Sequence, residues 1–172
     1  MVKFSFVIPV YNSERTIREV VERLNRTVAS LADPGEHEII LVNDGSKDHA
    51  LAVCQDIGKH DNRVTVINLS RNFGQANAIM AGLNYTCGEY VICLDDDLQT
   101  LPEEFPKLFD KLLMDSRDLV YAIYLSKKHG FLRNIGSAIN AEMSSRLINK
   151  PRNIKTSSFF IARRFIIDEV IK

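Results

Sequence analysis

The stretch ICLDDDLQ, residues 92–99, sets three carboxylates side by side, Asp95, Asp96 and Asp97, directly after the apolar run 90–94. Like charges a few ångströms apart repel, and each makes its neighbours harder to ionise unless a cation intervenes. A hard divalent cation, Mg²⁺ or Mn²⁺, relieves this. It takes oxygen ligands, commonly one or two carboxylates together with the phosphates of a substrate. Along an extended chain, alternate side chains point the same way. Asp95, Asp97 and Gln99 are therefore expected on one side, and Asp96 turned away from them.

Three other polar clusters follow apolar runs: PVYNSE (residues 9–14), NDGSKD (43–48) and RNFG (71–74). Taken singly, each has a structural reading. Asn12 or Ser13 can cap a helix, Gly45 can turn the chain with Ser46 as a cap, and RNFG can be a surface loop. Taken together with the aspartates, they bring Pro9, Tyr11, Asn12, Glu14, Asp44, Asp48, Arg71, Asn72 and Gly74 to the ends of successive strands. Other chemistries find little support. His37, His49, His60 and His129 are scattered and lack ligand-like spacing. Neither G-x-G-x-x-G nor G-x-x-x-x-G-K-[ST] is present, and neither is G-x-S-x-G. Lys plus Arg and Asp plus Glu both number 22, so no global field draws nucleic acid or an anionic membrane. Cys54, Cys87 and Cys93 lack metal or redox spacing and read as small core residues in a reducing, cytoplasmic setting.

These clusters need a scaffold. Apolar runs at residues 3–10, 38–44, 63–69 and 90–95 read as strands buried on both faces. Between them lie helical patterns at 13–31, 49–58 and 73–88, the last opened by Gly74 and closed by Gly88. Thr100 and Glu103 fit a capping box for a further helix, with Pro102 in its first turn and Pro106 costing a backbone bond. A fifth strand at 118–124, a helix at 131–148 and a sixth strand at 157–162 complete the series. Tyr85, Tyr90, Phe105 and Phe109 read as core. This alternation predicts an α/β fold in one domain over residues 1–172: a mostly parallel twisted sheet with helices on both faces. Ligands of such sheets bind outside the carboxyl ends of the strands, where the polar clusters fall. The final stretch, RRFIIDEVIK, reads as a helix that stops without a cap, as expected of a C-terminally truncated chain.

The motifs FSFVIPVYNSE, EIILVNDGSKD and INLSRNFGQANAIMAGLNYTCGEYVICLDDDLQTLPEEFPKLF, in this order, resemble the family 2 glycosyltransferases of the GT-A fold. The D-x-D-x-Q followed by proline is most similar to the polyprenyl-phosphate, dolichol-phosphate mannose synthase-like branch. The resemblance implies an inverting, metal-dependent hexosyltransferase with a UDP- or GDP-sugar donor. It implies a polyprenyl phosphate or a surface glycan as acceptor, and peripheral association of the longer protein with the cytoplasmic face of a membrane. It implies that Pro9, Tyr11, Asn12 and Glu14 line the base and ribose pocket. Asp44 would bond the base, with Asp48 supporting its loop. Arg71, Asn72 and Gly74 would lie beside the donor, Asp95 at its ribose or sugar side, and Asp97 and Gln99 on the metal.

Two departures concern the acceptor side. The branch's Gly-x-Arg after the fifth strand is replaced by Ala122 and Tyr124, and its Phe-Arg by Phe159-Phe160. Lys127, Lys128 and Arg133 could replace the missing cations or form a solvated face. A nucleotide-sugar-binding domain without turnover is the alternative reading of these residues.

Overall fold

Four of the apolar runs form the parallel centre of a sheet in the computed structural model, which describes residues 2–33, 35–122 and 157–172. They are β1 (Val2–Val10), β2 (Glu36–Asn43), β3 (Val64–Asn68) and β4 (Tyr90–Cys93). β1 lies between β2 and β4 and is parallel to both, and β3 is parallel to β2 on its outer side. β5 (Leu119–Tyr121) and β6 (Phe160–Arg163) extend the other side, giving the order β3-β2-β1-β4-β6-β5. β6 is antiparallel to both β4 and β5, so among the described strands it is the reversed one. This sheet belongs to a compact unit of residues 1–121 and 158–172. The expected helix at 131–148, the end of the fifth strand and Lys127, Lys128 and Arg133 lie outside the described residues.

Helices cover both faces. They are α1 (Ile17–Ala29), α2 (Ala50–His60), α3 (Gln75–Leu83), α4 (Phe105–Met114) and α5 (Arg164–Val170). The pleat sorts the core. Val7, Ile40, Val42 and Val91 pack with Ala78 and Leu83 of α3 and Ile167 of α5. On the other face, Phe4 and Phe6 meet Phe105 of α4 edge-on, with centroids 5.7 and 5.1 Å apart, and Tyr90 meets Phe109 at 5.0 Å. Edge-to-face pairs of this kind add to simple area burial. Among the described residues, no helix is long and apolar enough to cross a membrane.

Several local expectations are corrected. α3 ends at Leu83, before Gly88, so Tyr85 lies past the helix and is 60% exposed. Gly88 instead packs on Ser5, donating its N–H to the Ser5 hydroxyl at 2.7 Å. Pro106 sits in the first turn of α4, where its missing N–H would have no intrahelical partner, so no backbone bond is lost. The Thr100–Glu103 capping box does not form. Glu103 reaches Arg23 of α1 at 2.7 Å, an ion pair that competes with the cap. Cys87 is exposed, whereas Cys54 and Cys93 are buried as expected.

Candidate functional site

The strand order reverses beside β1. From β1 the chain goes to β2 and then β3 on one side, while β4 pairs on the other. Loops leaving the two neighbours diverge at such a switch point, and a crevice opens outside the strand ends. Here it is a cleft of about 230 Å³ lined by Pro9, Val10, Tyr11, Asp44, Asn72, Gln75 and Asp96.

Asp44 is the inner wall. It is only 2% exposed, and its two oxygens accept the backbone N–H groups of Phe73 at 2.7 Å and Gly74 at 2.9 Å. The β2 exit is thereby tied to the loop that opens α3. Gly74 makes the turn at φ +91°, and Gly45 at φ +63° lets the two loops touch. A Cβ on Gly45 would stand 2.5 Å from the Arg71 carbonyl carbon and the Asn72 nitrogen. Asn72 Oδ1 also accepts the Gly74 N–H, at 3.1 Å.

A second latch joins the β1 exit to the loop after Asp44. The Asn12 N–H donates to Ser46 Oγ, and Asn12 Oδ1 accepts from the Lys47 N–H. The Glu14 N–H donates to Asp48 Oδ2, and Glu14 Oε2 accepts from the His49 N–H. Asp48 Oδ1 accepts the Ala50 N–H at the start of α2. Asn12 and Ser46 thus bond each other, and neither caps a helix side-on. The side chains of Asn12 and Glu14, expected in the base and ribose pocket, hold the neighbouring loop and are not among those lining the cleft. Arg71, expected beside the donor, stacks its guanidinium 4.9 Å from the centroid of the Phe73 ring and does not line the cleft either.

The three aspartates diverge. β4 ends at Cys93, so strand alternation stops before it reaches them. Asp95 Oδ1 accepts from Gln75 Nε2, and Oδ2 accepts from Ser158 Oγ, both at 2.8 Å. Asp96, expected to be a turned-away neighbour, lines the cleft. Its Oδ2 accepts the Tyr11 N–H at 2.9 Å, and its carbonyl accepts the Thr16 hydroxyl at 2.6 Å. Burial pushes the Asp96 carboxyl above the usual carboxylate range; the Tyr11 N–H opposes this and the adjacent Asp97 adds to it. Asp97 is exposed, and Oδ1 accepts the Gln99 N–H at 3.0 Å in a local turn around Leu98, whose φ is +58°.

Among the described residues, no three His, Cys, Asp or Glu side chains converge on a closed metal cage. An open edge of hard oxygens fits Mg²⁺ or Mn²⁺ that draws its remaining ligands from a diphosphate. Asp97, exposed and engaged through one oxygen, is suited to that role. Gln75, Asp96 and Ser158 are site residues that sequence reasoning missed. Gln75 had a signal, as the residue after the Gly74 turn. Ser158 had none, lying 63 positions from Asp95.

The strand order, the switch-point cleft and the acidic exit of β4 define a GT-A-type α/β fold, the architecture of nucleotide-sugar transferases. The chain belongs to glycosyl transferase family 2, whose model matches residues 5–171. It is 34% identical over 171 residues to the undecaprenyl-phosphate 4-deoxy-4-formamido-L-arabinose transferase of Proteus mirabilis, covering 99% of this chain and 52% of that protein. It is 32% identical over 170 residues to the uncharacterized glycosyltransferase YkcC of Bacillus subtilis, covering 98% and 52%. The chain thus spans about half the length of these curated relatives. Glucosyl-3-phosphoglycerate synthase of Mycobacterium tuberculosis, solved with Mn²⁺, UDP-glucose and phosphoglyceric acid, has the same fold. The TM-score is 0.67 at 20% identity, over 96% of this chain and 57% of that one.

Proposed function

We propose that this chain is the donor-binding part of a metal-dependent, inverting glycosyltransferase that moves a hexose from a UDP- or GDP-sugar to a polyprenyl phosphate. The observation that carries the reading is the cleft outside the ends of β1, β2 and β4, walled by Asp44 and Asp96 and bordered by the Asp95–Asp97 edge. A planar base fits against Tyr11, 43% exposed at the cleft mouth, with Pro9, Asp44 and Asn72 around it. Asn12, Glu14 and Asp48 act by holding the loops that shape this pocket. Gly74 keeps the α3 loop against Asp44.

Asp97 and Gln99 would hold Mg²⁺ or Mn²⁺, with Asp95 at the ribose or sugar side of the donor. The ion, when bound, stabilises the charge that grows on the leaving diphosphate. Transfer forms a bond from the acceptor oxygen to the anomeric carbon and breaks the bond to the diphosphate on the opposite face. A phosphate acceptor is already anionic and needs no strong general base, whereas a sugar hydroxyl would need one. The Proteus relative, named for an undecaprenyl-phosphate acceptor, favours the lipid phosphate over a surface glycan.

Two measurements test this. Calorimetry with UDP and with GDP, each with and without Mn²⁺, should show binding of one nucleotide that depends on the metal. Sugar from that nucleotide's hexose conjugates should then be transferred to undecaprenyl phosphate, with inversion. Transfer to a glycan but not to the lipid would replace the acceptor, and metal-independent binding would remove the ion from the reading.

A further inference from the structure

Asp95 is held from two directions by neutral donors. Gln75, the first residue of α3, gives its amide N–H to Oδ1, and Ser158, two residues before β6, gives its hydroxyl to Oδ2, both at 2.8 Å. The amide orientation follows from chemistry, since a carboxamide oxygen facing a carboxylate would repel it. Gln75 also lines the cleft. Its backbone start is fixed by Gly74, whose N–H is tied to Asp44, so the arm that reaches Asp95 is anchored to the wall of the same pocket. Ser158 comes from the opposite side, from the approach to the reversed strand between β4 and β5. One arm therefore belongs to the parallel half of the sheet and the other to the antiparallel half.

The geometry points to Gln75 and Ser158 as positioning residues that together set the orientation of the Asp95 carboxylate for the nucleotide donor. This rests on reading the Asp95–Asp97 edge as the donor site. The arms suit the task because each oxygen accepts one bond and keeps its other lone-pair direction for a ligand. Fixing both oxygens removes rotation about the carboxylate, so less order is lost when the donor binds. A single donor would leave that rotation free. Partners that orient a binding carboxylate in this way contribute to affinity without touching the ligand themselves.

The test is a double-mutant cycle read by calorimetry, with UDP and GDP titrated in turn in the presence of Mn²⁺. Gln75→Ala and Ser158→Ala should each weaken binding of the nucleotide that the parent binds, by about tenfold, the scale found for outer partners of ligating groups. Ser158→Thr, which keeps a hydroxyl, should restore most of the affinity. In an Asp95→Ala background neither alanine change should matter further, because residues that act only through Asp95 have nothing left to position. Should Gln75→Ala fail to unfold cooperatively, Gln75→Met keeps the side-chain length, drops the donor and carries the same test. A parent that binds neither nucleotide overturns the donor-site reading and the clamp with it. A parent that binds, with variants of equal affinity or with losses that persist unchanged in the Asp95→Ala background, overturns the clamp alone.

Discussion

At the scale of single residues, the aspartates at the β4 exit divide their work by their partners. Asp95 is held at both oxygens, Asp96 is half-buried against the Tyr11 amide, and Asp97 is exposed with one oxygen engaged by the Gln99 amide. A ligand arriving from solvent meets Asp97 with the least to displace. Asp97→Asn should therefore leave the fold intact and weaken nucleotide binding in Mn²⁺ by at least about tenfold, or ~1.4 kcal/mol. Calorimetry in which mutant and parent bind equally, with and without the metal, would remove Asp97 from the metal site. The side-by-side repulsion that made the triplet conspicuous is thus handled in the fold by separating the three carboxylates, each toward its own donor.

At the scale of elements, the site depends on two loops that touch at Gly45. With φ +63° and no room for a Cβ beside Arg71 and Asn72, Gly45→Ala is strained twice, by its backbone and by the neighbouring loop. It should cost about 2 kcal/mol or more in denaturant unfolding and weaken nucleotide binding as Asp44 loses its hold on the α3 loop. A mutant with parent stability would show that the loops can part cheaply. At the opposite end of the strands, His37 near the start of β2 lies buried with Asn25 Oδ1 at 2.8 Å, and Arg63 Nη1 at 3.2 Å, itself forked onto Asp61. Burial first, and then the Arg63 charge, hold the His37 imidazole below its ordinary 6.5, with Asp61 opposing. The unfolded chain takes up this proton before the folded one does. Its contribution to stability is therefore complete above about pH 6.5 and falls as the pH drops from there toward the lowered folded value. Melting curves should show that His37→Gln loses less stability than the parent between pH 7 and pH 5. Equal losses would place the acid sensitivity elsewhere.

The elements also show what was legible in the sequence and why. β1, β2 and β4 were readable because two-sided burial demands long apolar runs; β3, expected to be buried on both faces, is an edge strand only partly buried beyond Val64, and was readable from its β-branched run Val64, Thr65, Val66 and Ile67. The reversal of β6 was not, because direction in a sheet is decided by pairing with distant partners, here Tyr90 with Arg163 and Tyr121 with Phe160. The polar residues at the strand exits were readable as a group. Their individual directions were not, since alternation holds only within a strand and β4 stops at Cys93. That is why Asp96 lies in the cleft, and why Asn12 and Glu14 bond the neighbouring loop.

At the scale of the whole molecule, the partners of the acidic edge bear on what a metal does for stability. Asp44, Asp95, Asp96 and Asp97 each accept at least one hydrogen bond from the protein itself. Carboxylates satisfied in this way do not need an ion to make the fold, unlike a small domain built around a structural metal. Treatment with EDTA should therefore leave the melting temperature of the nucleotide-free protein unchanged. Metal and nucleotide together should raise it, because only the folded state carries the assembled cleft. At a hundredfold excess over Kd, mass action contributes about 2.7 kcal/mol. For a chain of this size, that corresponds to a rise of roughly 5–10 °C. Addition of EDTA to the ternary mixture should abolish the rise, since the diphosphate then faces the aspartates with no cation between them. A melting temperature that falls with EDTA alone would make the ion structural. A rise with nucleotide that survives EDTA would mean that the diphosphate is held by the protein's own donors.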